Sequence, residues 1–232
     1  MRKYLSESEA EDIRRIVEAE NEETGAKYGI PDDADRYVLK KTGGHVICFA
    51  GIYELGETFG GREAVEVSLF TDRGYRRKHL AVGMLSRCLN EGKVLKFSQY
   101  GSEAGDAFLK AAGASYDYDE LCMELRLPDA DVTEYPQKEE LPENGGIRYY
   151  NAHSELYVLP MGKKAYVYGV RTDVSHLRKG SAGALLRDVL SLLQREGFET
   201  AMLQVSGKNV PALRLYEKCG FAVTERLKIW HL

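Results

Sequence analysis

Residues 170–221 constrain the fold of this chain more than any other stretch. A strand end, Val170-Arg171-Thr172, runs into a basic glycine loop, Arg178-Lys179-Gly180-Ser181-Ala182-Gly183. Farther on come Asn209-Val210-Pro211-Ala212 and Leu215-Tyr216-Glu217-Lys218-Cys219-Gly220-Phe221. After the loop, Ala182, Leu185, Leu186, Val189, Leu190 and Leu193 recur at the i, i+3, i+4, i+7 spacing of a helix with one buried stripe, and Gly197 stands where its C-terminal cap belongs. The loop therefore sits at a helix N-terminus, where glycine permits a tight turn and about four N–H groups lack intrahelical partners. Those donors and the positive end of the helix suit a phosphate or pyrophosphate, with Arg178 and Lys179 adding charge at the rim. Taken alone, the loop is equally compatible with a plain connection bearing solvated charges.

The segment that follows narrows the choice. Glu199 to Val205 has the length and apolar run of a buried strand, broken by Ser206-Gly207-Lys208. Asn209 then reads as a helix cap, with Pro211 in the first turn and Gly220 closing the element. At 3.6 residues per turn, Asn209 and Tyr216 fall on nearly the same face, about 10 Å apart along the axis. One helix can thus present an amide and a phenol to one cleft, although a lone helical tyrosine is more often a core residue.

Carried by the Gly180-x-Ala182 part of the loop, the Asn209-x-x-Ala212 step and the run Leu215 to Phe221, the chain resembles the GNAT superfamily of N-acetyltransferases over roughly residues 164–232. The resemblance implies an α/β (α+β) fold whose mixed, mostly antiparallel twisted sheet is flanked by helices, with a V-shaped splay between central strands. It implies acetyl-CoA as co-substrate. Main-chain groups of Val170, Arg171 and Thr172 would bind the pantetheine arm, and the N–H groups of Arg178, Lys179, Gly180, Ser181, Ala182 and Gly183 the pyrophosphate. Asn209 would touch the cofactor arm, and Tyr216 would act as general acid toward the departing thiolate. A phenol, with an ordinary pKa of about 10, is protonated at neutral pH and suits that role. One departure stands out: the family places Gln or Arg where this chain has Leu177, and a leucine there is expected simply to pack.

The same unit is readable a second time. Aligned at a constant offset, Thr71 pairs with Thr172, Asp72 with Asp173, Arg77 with Arg178, Lys78 with Lys179, Ala81 with Ala182 and Leu85 with Leu186. In this first copy His79 replaces the loop glycine, Ser102 falls near the place of Asn209, and Leu109 falls where Tyr216 would be. The first copy is expected to be catalytically silent and to bind cofactor weakly or not at all. The expected organisation is a degenerate GNAT-like domain at 1–130, a proline- and acid-rich linker at 131–145, and a GNAT domain carrying the acetyl-CoA site at 146–232.

In the first half, a helix is expected over residues 6–20, opened by a capping-box pattern at Ser8 and Glu11 with Ile13, Ile16 and Val17 on one face. Strands are expected at 36–41, 45–55, 64–71 and 93–97, helices near 80–89 and 103–112, and an alternating strand through Leu121, Met123, Leu125 and Leu127. The second half offers strands at 147–150, 155–159 and 164–172.

At 232 residues, 44% of them hydrophobic, there is enough chain for one large or two small cores, and no apolar run approaches the roughly 20 residues of a membrane span. A net charge of -4 argues against nucleic acid as partner. Cys48, Cys88, Cys122 and Cys219 lack metal or redox spacing and read as small buried hydrophobes in a reducing compartment. The expectation is a cytoplasmic enzyme without leader, structural metal, disulfide or membrane contact, acting as monomer or homodimer on a small-molecule amine. The general base is left open between Glu155, Tyr168 and water. A longer-acyl or protein N-acetyltransferase and a non-catalytic acyl-CoA sensor remain alternatives.

Overall fold

The computed structural model describes residues 2–89, 92–127, 129, 132–143 and 145–232. The first helix, α1 (Glu7–Thr24), begins where Ser6 Oγ accepts from the Glu9 N–H (3.3 Å) and Glu9 Oε2 accepts from the Ser6 N–H (2.8 Å). The capping box thus opens at Ser6, not at Ser8. Both serines satisfy the spacing, but starting at Ser6 also brings the Glu9 carboxylate to Arg2 (2.6 Å) and Lys41 (2.8 Å).

The chain continues through β1 (Arg36–Thr42), β2 (His45–Phe59), β3 (Arg62–Thr71), a 3-10 turn (Arg73–Tyr75), α2 (Leu80–Leu89), β4 (Val94–Gln99), α3 (Glu103–Ala111) and β5 (Ser115–Arg126). There follow β6 (Gln137–Leu141), β7 (Gly146–Tyr150), β8 (Ser154–Met161), β9 (Lys164–Thr172), a 3-10 turn (Val174–His176), α4 (Ser181–Arg195), β10 (Thr200–Ser206), α5 (Val210–Lys218) and β11 (Ala222–His231). The expected α/β class is observed, with mostly antiparallel strands flanked by helices. Among the named pairs only β3 with β4 and β9 with β10 run parallel.

Two compact units divide the chain. Unit 1 runs through Tyr118 and takes back Leu227–Leu232; unit 2 is Asp119–Arg226. This differs from the expected domains 1–130 and 146–232, because two strands cross the divide. Lys228–His231 of β11 pair with Lys96–Gln99 of β4 inside unit 1, while Glu120–Arg126 of β5 pair with Thr200–Ser206 of β10 inside unit 2. Alternating apolar residues announce a strand, but they do not say which strand it pairs with.

In unit 1, β2 is buried on both faces. Cys48, Ala50 and Ile52 meet Met84, Leu85 and Cys88 of α2, while Val46 and Phe49 meet Ile13, Ile16 and Val17 of α1. In unit 2, the period-2 sets Leu156/Val158, Ala165/Val167 and Ala201/Leu203/Val205 form one sheet face covered by Leu186, Val189, Leu190 and Leu193 of α4. Each leucine or valine of this set contributes about 1.5–3 kcal/mol by leaving water.

The stretch expected as a linker carries structure wherever it is described. β6 pairs antiparallel with β7, Asp188 of α4 accepts from the Thr133 N–H (2.8 Å), and Arg195 donates to the Tyr135 hydroxyl (3.1 Å). Its sequence, Gln-Lys-Glu-Glu-Leu, is almost wholly exposed, so no apolar period marked it as a strand. Pro128, Ala130, Asp131 and Asn144 lie outside the described residues.

Candidate functional site

The loop of unit 2 is built from its ends. β9 stops at Thr172, the 3-10 turn follows, Arg178 takes a left-handed conformation (φ 62°), and Gly180 (φ 87°) is the N-cap of α4. No side chain caps this helix, and the Ala184 N–H to the Gly180 carbonyl (3.0 Å) starts its intrahelical ladder. The N–H groups of Ser181, Ala182 and Gly183 precede that bond, so the first turn presents donors suited to an anion. Arg178 and Lys179 are exposed at the rim. Leu177 does not pack as expected; it is 52% exposed.

A chain of small polar groups braces this loop from below. Ser154 Oγ, buried at the start of β8, donates to Ser181 Oγ (2.8 Å) and shares a hydrogen bond with Thr172 Oγ1 (3.0 Å), while Ser181 Oγ reaches Asn151 Oδ1 (3.4 Å). Asn151 and Ser154 escaped sequence reasoning, because short polar residues in turns carry no periodic signal. Nearby, the rings of His153 and His176 stack 3.5 Å apart, and with Asp173 they bring ligand-type atoms within 4.8 Å of one another. Turn geometry, not sequence spacing, assembles that group, which is why no metal-type pattern was visible.

The sheet opens beside the loop. β9 and β10 pair only over Lys164–Tyr166 and Thr200–Met202, and their ladder ends before Val170, Arg171 and Thr172. On the other side of β9, Glu155 faces Arg171 and Tyr157 faces Tyr168, so Gly169 and Val170 together oppose Leu156. This is a β-bulge, in which the extra residue is left out of the ladder. Gly169 occupies it at φ 61°, where a Cβ would stand 2.8 Å from Tyr157 Cδ2. A glycine inside an otherwise aromatic and branched strand is the signal that could have revealed the bulge.

α5 supplies the side chains. Asn209 Oδ1 accepts from the Ala212 N–H (3.3 Å), so its carbonyl caps the helix and its amide N–H groups remain as donors. Tyr216 is 8% exposed, belongs to the same apolar cluster as Val167 and Leu186, and meets Phe221 edge-on with ring centroids 6.0 Å apart. Burial, helped by Cys219 and Tyr166, pushes its phenol above the ordinary value. The group is therefore neutral and proton-bearing across the physiological range.

Neither side-chain candidate for the base is well placed. Arg148 holds the Glu155 carboxylate through Nε (2.9 Å) and Nη2 (2.7 Å), and Tyr168 stacks between Tyr157 and Tyr166.

Unit 1 repeats the backbone without this chemistry. Arg77 and His79 hold the left-handed conformations of Arg178 and Gly180, and Ser102 caps α3 through the Gly105 N–H (3.1 Å) as Asn209 caps α5. Yet Leu109 is buried where the tyrosine would stand, and the β2–β3 register runs unbroken from Val65 to Thr71, so the bulge is missing.

Comparison with known proteins agrees with this architecture. Residues 144–221 match the model of the acetyltransferase (GNAT) family. Mycothiol acetyltransferase of Brachybacterium faecium is 44% identical over 64 residues, 28% of this chain and 19% of that protein. The corresponding enzyme of Corynebacterium aurimucosum is 29% identical over 89 residues, 38% of this chain and 28% of that protein. The chain thus spans under a third of these curated relatives. Among solved structures, a GCN5-related N-acetyltransferase from Sphaerobacter thermophilus superposes with TM-score 0.73 at 14% identity, covering 99% of this chain and 94% of that one. A tandem GNAT protein from the clavulanic acid biosynthesis pathway superposes with TM-score 0.61 at 12% identity, covering 96% of this chain and 93% of that one. Over residues 144–221, about a third of its length, the chain is similar to the acetyltransferase (GNAT) family.

Proposed function

We propose that unit 2 transfers the acetyl group of acetyl-CoA to the primary amine of a small molecule or amino acid. The observation that carries this reading is the coincidence of an uncapped helix N-terminus behind Gly180 with the parted strands and bulge at Gly169. The first feature suits a pyrophosphate, and the second gives an extended arm main-chain partners at Val170, Arg171 and Thr172. A main-chain N–H at the bulge polarises the thioester carbonyl. The amine forms the new C–N bond as the C–S bond breaks, and Tyr216 gives its proton to the sulfur. With Glu155 tied to Arg148, the amine's proton leaves through water. The acetyltransferase names of the matched relatives support the acetyl group.

Unit 1 is read as a second, silent GNAT-like copy, so that the chain is a tandem. The left-handed loop shared by Arg77–His79 and Arg178–Gly180 supports this.

A thiol-release assay across small amines and amino acids tests the activity. Tyr216→Phe, which keeps the buried ring, should lower kcat by about 10²–10⁴ with little change in KM. Release that is absent with every acceptor in the wild type, or undiminished in Tyr216→Phe, would sink the mechanism.

A further inference from the structure

A cavity in unit 1 is lined by none of the residues of the candidate transfer site. It measures about 760 Å³ and opens between β3 and β4 beyond their last paired residues, Glu66 and Lys96. That volume is within the roughly 300–1,000 Å³ typical of small-molecule sites. The apolar part of its wall comes from four elements: Val67 and Leu69 of β3, Phe97 of β4, Leu80 of α2 and Phe108 of α3. Tyr28 and Phe70 add aromatic faces and meet edge-on with centroids 5.1 Å apart, an arrangement that holds both rings in place.

Arg77 and His79 also line the cavity and are exposed to solvent. Arg76 is held by Glu20 (2.6 Å) and Glu23 (3.0 Å). Deeper in, the Tyr28 hydroxyl donates to Gln99 Oε1 and accepts from the Tyr100 N–H (3.1 Å). Burial pushes the Tyr28 phenol up to about 12, so it stays uncharged. Beside that hydroxyl and Gln99, a charged ligand group would give up its hydration for neutral partners only. A neutral, apolar body loses nothing of the kind.

The same splay in unit 2 comes with the bulge, the loop glycine and the buried tyrosine; here all three are missing while the space is retained. We propose that the cavity of unit 1 is a binding site, without transfer chemistry, for an uncharged and largely apolar small molecule carrying an aromatic or alicyclic body and one hydrogen-bonding end. Gln99, 8% exposed on the cavity wall, and Ser68 supply amide and hydroxyl partners for that end.

The probe is 6-propionyl-2-dimethylaminonaphthalene, a neutral aromatic ketone whose emission shifts to the blue in apolar surroundings. Titrated into the full chain, it should saturate one site. Ala81→Trp on α2 and Ala104→Trp on α3 each push an indole into the cavity from helix positions outside the buried core, and each should weaken binding tenfold or more while the thermal melt stays cooperative. Gly180→Asp in unit 2 should leave dye binding unchanged. Absence of a saturable site, or full affinity in both tryptophan variants, overturns the proposal. Displacement of the dye by acetyl-CoA would overturn it too, marking the cavity as a second thioester site.

Discussion

Gly169→Ala puts one methyl group at the point where the backbone of β9 departs from regular strand. At φ 61° an L-residue incurs about 1–2 kcal/mol of left-handed strain. The new Cβ would stand 2.8 Å from Tyr157 Cδ2 and 3.3 Å from Cε2, and moving that ring off its stack with Tyr168 adds about 1 kcal/mol. Alanine also stiffens the unfolded chain, which returns about 0.5 kcal/mol. The balance is a destabilisation of about 2 kcal/mol, read as a lower urea midpoint at unchanged m-value. The alternative response is for β9 to straighten into the unbroken register of its counterpart β3. That path spares stability but removes the main-chain donor at the bulge, for which a loss of about 10²–10³ in kcat is expected. Either way the variant is impaired. Urea melts within 0.5 kcal/mol of wild type together with unchanged thiol release would refute the reasoning on both counts.

Other expectations follow from single residues. The Lys41 ammonium, the Ser6 N–H and then Arg2 outweigh the opposing effect of burial and hold Glu9 down to about 2, from a usual 4.5. Its contribution is therefore complete above pH 4.5 and disappears as pH falls toward 2. Because Arg2 and Lys41 are themselves partly solvated, that contribution is put at about 1–2 kcal/mol. Glu9→Gln should flatten the acid limb of a stability–pH curve; an unchanged limb would refute the assignment. Leu186→Ala empties a fully buried position between α4 and the unit 2 sheet and should cost about 2–5 kcal/mol by denaturant melt, whereas a cost below 1 kcal/mol would mean that α4 is not packed as described.

Strong periodicity made much of this molecule readable in advance. β9 was legible from Lys164 to Thr172, and α2 and α4 from their leucine stripes, because each combines a buried face with punctuation at its ends. β6 was not legible, since an exposed edge strand needs no apolar period and Gln137–Leu141 has none. The exchange of β5 and β11 between the units was also hidden, because strand partnership is decided by long-range pairing that residues 115–126 and 222–231 do not encode locally. At the candidate site, spacing placed the loop at the start of α4 and Tyr216 on α5, while their roles come from the family resemblance. The bulge at Gly169, the bracing by Ser154 and the capture of Glu155 by Arg148 depend on which neighbours the sheet register supplies.

The central claim is that the first turn of α4 in unit 2 binds the pyrophosphate of acetyl-CoA. A Cβ at Gly180 points into open space, and His79 shows that the same left-handed turn accepts a side chain in unit 1, so Gly180→Asp should fold while placing a carboxylate at the anion site. Calorimetric titration of acetyl-CoA into the two proteins decides the matter. The account predicts one site per chain in the wild type and a loss of at least tenfold in affinity in Gly180→Asp. Equal affinity in the two proteins would contradict it.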